Sequence, residues 1–160
     1  MFFSSAQEEA IDWFPQVRLS WENFKGTPTT DKAAATTASG ITYRFSSQSL
    51  GDEVQIDFTV IAQFYPNKSW NRPKLCDAHV LGHEQLHFDI TEVFARKMRK
   101  RMAATKFTRD VKKEVAAIYD EVNVALYAFQ HRYDNESNFS RNEEQQALWH
   151  QKIAKLLEND

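Results

Sequence analysis

The sequence predicts an α+β fold: a small antiparallel sheet in the N-terminal half, packed on a long helix and two further C-terminal helices. Two observations carry this. All four Pro (15, 28, 66, 73) and all four Gly (26, 40, 51, 82) lie at or before Gly82, so turns crowd the first half and the 78 residues after Gly82 read as helical. Strand-like alternation also stays in that first half, which argues against repeated βαβ units.

Taking the chain in order, residues 1–12 are polar and acidic and suggest a short helix or a frayed end, with 1–16 a loosely ordered segment of a single domain spanning 1–160. Val17 to Trp21 suggests a strand. Residues 27–39, rich in Thr, Ala and Ser, offer little to bury and suggest an exposed loop. Ile41, Tyr43 and Phe45 alternate with polar residues. The clearest strand is 53–64: Val54, Ile56, Phe58, Val60, Ala62 and Phe64 face one way, and Gly51-Asp52 turns the chain between the two strands.

Pro73 suits the first turn of a long helix from about Lys74 to Thr105, whose stripe is Leu86, Ile90, Val93, Phe94 and Met98. Gly82 is costly in mid-helix, and close approach at a cleft or a packing need would explain it. Glu92 and Arg96 form an i, i+4 ion pair. A second amphipathic helix runs from about Thr108 to Tyr133 on Val111, Val115, Ile118, Val122, Ala125, Phe129 and Tyr133, and Asp134 to Asn138 breaks it. Ser140 with Glu143 reads as a capping box opening a last helix that carries Leu148, Trp149, Ile153 and Leu156.

Composition bounds the function. With 160 residues and 42% hydrophobic content the chain can bury a core, and a net charge of -2 gives no sign of nucleic acid or an anionic membrane as partner. The lone Cys76 excludes an internal disulfide. No apolar run approaches the ~20 residues of a membrane-spanning helix. Met1-Phe2-Phe3 is too short for a signal peptide, so an export signal is not among these residues.

The chemistry concentrates in Gly82-His83-Glu84-Gln85-Leu86-His87. This is His-Glu-x-x-His, in which histidines four apart on one helix face grip one zinc ion and the Glu serves as general base. The bland alternative makes both histidines core residues. His83 and His87 continue the apolar stripe upstream and should point inward. A catalytic zinc takes three protein ligands. Geometry argues against His79 as the third, because it and His87 stand about 12 Å apart along the helix axis, and a boundary role suits it better. The third ligand should come from the later helices: Asp134, with Glu136 and His131 as alternatives and His150 more remote. Asp89 is a candidate for orienting a neighbouring group. Tyr133 is a candidate for stabilising an oxyanion, with a core role as the alternative.

Several strings together resemble one bacterial family: Leu19-Ser20-Trp21-Glu22-Asn23-Phe24-Lys25-Gly26, Ser69-Trp70, His83 to Ile90 with Glu92 and Ala95-Arg96, and Tyr133-Asp134 followed by a Gln- and Trp-containing helix. They are similar to the predicted secreted zinc-dependent proteases known as domain of unknown function 922, over about residues 17–157. The resemblance implies a zincin-like, extracytoplasmic hydrolase of peptides or proteins, with zinc on His83 and His87 and Glu84 as base. Phe139 falls where the family pattern carries a His after Tyr-Asp. If that His is a ligand, the site would recruit Asp134 or Glu136, bind zinc weakly, or belong to a catalytically inactive binding module.

Overall fold

The protein's structure, a computed structural model, describes residues 9–158. Its elements are β1 (Ile11–Asp12), β2 (Ala35–Thr36), β3 (Ser39–Leu50), β4 (Glu53–Phe64), β5 (Trp70–Asn71), α1 (Ala78–Ala104), α2 (Val111–Ser137) and α3 (Glu143–Glu158). β1, β4 and β3 form an antiparallel sheet in that order, and β2 pairs antiparallel with β5. The helices pack together, and α1 also lies on the sheet. The fold is α+β, as the distribution of turns and strands predicts.

The hairpin follows from sequence. In β4 every second residue from Val54 is partly or fully buried, ending with Val60, Ala62 and Phe64 in the core. Gly51, at φ 65°, turns the chain and sets Leu50 opposite Glu53 and Ile41 opposite Ala62. Phe64 meets the rings of Phe24 and Phe88 at 5.1 and 5.8 Å, locking the sheet to α1. The stripe Leu86, Ile90, Val93, Phe94 and Met98 is buried throughout.

Several boundaries move. Residues 1–8 of the loosely ordered segment lie outside the described residues, but Ile11 and Asp12 pair with Phe64 and Gln63 as a strand. No strand forms at 17–21: the Leu19 N–H goes to Gln85 Oε1, and Trp21–Asn23 is a 3-10 turn. Within the expected loop 27–39, Ala35 is buried and begins β2. Pro73 opens a separate 3-10 turn, and α1 starts later, where Asp77 accepts a hydrogen bond from the Val80 N–H.

The second helix also runs longer than its polar tail suggests. α2 continues through Ser137 and stops only where Asn138 turns left-handed at φ 47°. Leu126 rather than Ala125 is buried on it. Asn142, not Ser140, caps α3, accepting from the Gln145 N–H, and Leu148 and Leu156 stay exposed. Glu92 is buried and held by both Arg96 and Arg99, so it does more than close one surface ion pair.

Candidate metal centre

Histidines four apart on α1 face the same way, with ring centroids 4.9 Å apart, toward the last turn of α2. Because α2 continues past Tyr133, Asp134 is presented from a rigid helix rather than from a loop. Its Oδ1 lies 3.0 Å from His83 Nε2 and 2.8 Å from His87 Nε2. Tyr133 packs beside both imidazoles, stacked on His83 at 4.6 Å and edge-on to His87 at 4.8 Å.

The surrounding hydrogen bonds decide which ring nitrogens carry hydrogen. Tyr133 donates its hydroxyl to the His83 carbonyl at 3.0 Å and therefore accepts from Gln146 Nε2 at 2.7 Å. The Gln146 Oε1 atom then faces His83 Nδ1 at 2.8 Å and accepts from it. Gln130 repeats the device. Its Nε2 donates to the His87 carbonyl at 2.9 Å, so its Oε1 accepts from His87 Nδ1.

Each neutral imidazole thus turns its Nε2 lone pair on a carboxylate oxygen. Three acceptors aimed at one another repel unless positive charge lies among them, as a proton or a metal ion. Ligands about 2 Å from one zinc ion stand roughly 3.3 Å apart in a tetrahedron. The three ligand atoms here lie within 4.8 Å of one another. His83, His87 and Asp134 form a group that can hold a metal ion.

The pKa shifts carry the same demand for charge. Burial pushes the Asp134 carboxyl up, but without a metal the hydrogen bonds and charge of His83 and His87, which need protonated rings to donate from Nε2, outweigh it and hold the group well below the usual carboxylate range. For His87 burial favours the neutral ring. The Asp134 hydrogen bond and the nearby charges of Glu84 and Asp134 overcome it and raise the imidazole above its ordinary value.

Glu84 is buried beside the histidines, and Thr37 donates its hydroxyl to Glu84 Oε2 at 2.6 Å. Both members of this pair line a cavity of about 910 Å³ that the triad also lines, together with the rest of residues 32–39 and Phe139. Binding sites for small molecules and peptides are commonly concave and partly apolar in this way.

The remaining candidates lie elsewhere. His131 is exposed on the cavity wall, its ring 4.2 Å from Tyr127. Glu136 accepts from Arg132 and Trp149. His79 meets the Ser140 carbonyl at 2.6 Å, and His150 meets Gln146 at 3.0 Å. Asp89 accepts from Trp13, Arg18 and Gln85, so it orients Gln85 rather than an imidazole. Tyr133 is fully buried with its hydroxyl engaged, the core role instead of the oxyanion role. Gln130, Gln146 and Thr37 escape a reading by residue type, although Gln130 sits four residues before Asp134 on the same helix face.

Residues 15–143 match the family described as bacterial protein of unknown function (DUF922), and the chain belongs to that family. No curated protein and no solved structure is similar enough to match.

Proposed function

We propose that the protein is a zinc-dependent peptidase of the zincin-like kind, acting outside the cytoplasm on peptides or proteins. The observation that carries the reading is that His83, His87 and Asp134 converge in the cavity that Glu84 also faces. His83, His87 and Asp134 would hold the zinc. An ion bound there would supply Lewis acidity toward a peptide carbonyl and an attacking water.

Glu84 takes the proton from that water as it adds to the carbonyl carbon, then passes it to the amine nitrogen as the C–N bond breaks. Thr37 fixes one carboxylate oxygen by hydrogen bonding, which leaves the other oriented for proton transfer. Gln130 and Gln146 hold the two imidazoles in the tautomer that presents Nε2. Among the described residues β2 has one sheet neighbour, β5, and residues 32–39 line the cavity. The unpaired side of β2 offers backbone groups to an extended peptide.

The reading as a weak or inactive zinc module draws on Phe139 standing in place of a ligand. With Asp134 as the proposed third ligand from α2, Phe139 leaves no gap in a set of three that could hold an ion. Location outside the cytoplasm rests on the family resemblance, and no helix among the described residues is long and apolar enough to cross a membrane. Fractionation of producing cells tests it, and recovery in the cytosol alone would refute it.

The decisive experiment pairs metal analysis with turnover of an unfolded protein. Wild type and Glu84→Gln should each carry one equivalent of zinc, and the variant should lose at least ~100-fold in hydrolysis. Equal rates would rule out Glu84 as the base.

A further inference from the structure

Past the end of α2, Asn138, Phe139 and Ser140 have φ of 47°, 53° and 79°, so three successive residues without a glycine lie in the left-handed region. Asn tolerates this conformation, but a bulky side chain there is an outlier. The neighbours of Phe139 are firmly tied. Its own N–H donates to the Asp134 carbonyl at 2.9 Å, and the Ser140 carbonyl meets His79. The ring gains no burial in return: Phe139 is 54% exposed, on the wall of the cavity that holds the metal triad. Glycine would close this turn with less strain, and a polar residue would suit the exposure. Strain kept at the edge of a site points to a use for the side chain that causes it.

A second aromatic lines the same space. Tyr127, 68% exposed, lines the same cavity seven residues before Asp134, two turns back on the same face of α2. Leu75, also exposed, and Val80 add apolar side chains to the lining of that cavity.

We infer that Phe139 is a specificity-determining residue, whose ring receives a bulky apolar side chain next to the scissile bond of an extended peptide. The inference rests on the peptidase reading. Folded proteins bury their runs of apolar residues, so the substrates this wall selects are unfolded or partly unfolded chains.

Two measurements on zinc-loaded protein test it. First, wild type and Phe139→Gly digest a reduced, unfolded protein, and mass spectrometry maps the cuts. Wild-type cuts should cluster beside Phe, Leu, Met, Tyr and Trp, and Phe139→Gly should weaken that preference about tenfold. Its unfolding temperature should rise, because glycine relieves the backbone, which a merely structural Phe139 would not allow. Second, Glu84→Gln binds an unstructured peptide series differing at one central residue. The Phe peptide should bind about tenfold tighter than the Ala peptide, and adding Phe139→Gly should erase the difference.

Cuts without apolar preference, or a preference that survives Phe139→Gly, overturn the inference and leave the peptidase intact. No cleavage, but Phe-selective binding that depends on Phe139, overturns the peptidase and leaves the apolar wall intact. Neither cleavage nor selective binding overturns both.

Discussion

Gln130 and Gln146 make the two imidazoles useful to a metal. Each accepts from an Nδ1–H, and each is itself fixed because its amide nitrogen is committed to a backbone carbonyl or to Tyr133. Removing such a partner typically weakens metal binding 10–100-fold. Gln130→Leu should therefore bind zinc about 10–100-fold more weakly than wild type in a chelator competition, with the fold kept. Unchanged affinity would show that His87 needs no such support. Of this site, the two histidines and Glu84 were legible because a helix brings residues four apart together without help from the rest of the fold. Asp134 was legible only as one of several acids, since its partners stand 47 and 51 residues away. The glutamines carry no charge or spacing that announces them until α1, α2 and α3 are packed.

At the level of elements, legibility follows burial. β4 alternates cleanly because one face meets the core and the other does not. The polar run Asp134 to Asn138 reads as a break, yet polarity alone does not end a helix: α2 stops where Asn138 turns left-handed. Glycines divide in the same way. At Gly82 an added Cβ would make only ordinary contact with His150, 3.6 Å from Nε2, so neither close approach nor packing demands glycine there. Gly82→Ala should stabilise the protein by about 0.5–1 kcal/mol through helix propensity. At Gly26 a Cβ would stand 2.7 Å from the Asn67 carbonyl oxygen and 2.9 Å from that of Ser69, both backbone atoms. Gly26→Ala should destabilise by about 1–3 kcal/mol. Denaturant unfolding of the two variants gives opposite signs if this is right, and a shared sign would contradict it.

For the whole molecule, the site adds one shared polar cluster to three helices that elsewhere meet by packing and by separate contacts such as Arg101 with Glu121, Arg96 with the Leu157 carbonyl and Trp149 with Glu136. His83 and His87 come from α1 and Asp134 from α2, while Gln146 ties α3 to the same cluster. Zinc at 100 times its dissociation constant should add about 2.7 kcal/mol, a rise of several degrees in Tm that a chelator abolishes. The size of that rise should depend on pH. His87 has a folded pKa above its unfolded value, so without zinc its contribution to stability is present below ~6.5 and lost as pH rises through the folded pKa. Asp134 is the reverse: its folded pKa is lowered, and its contribution is present above ~3.9 and lost as pH falls through the folded value. Zinc must displace the His87 proton, so the Tm difference with and without metal should widen as pH climbs past that group's titration. Calorimetry in paired buffers measures this, and a difference that stays constant with pH would contradict it.

The distance along the chain between His87 and Asp134 also sets a clock. A ribosome adding ~5–20 residues per second needs roughly 2–9 s to cover the 47 positions between them. Through that interval the growing chain already holds His83, Glu84 and His87, but not the Asp134 carboxylate that completes the group. The group that can hold a metal ion is complete only when α2 has been synthesised and docked on α1. Any chemistry that depends on all three side chains therefore waits for the second helix, however early the first is made.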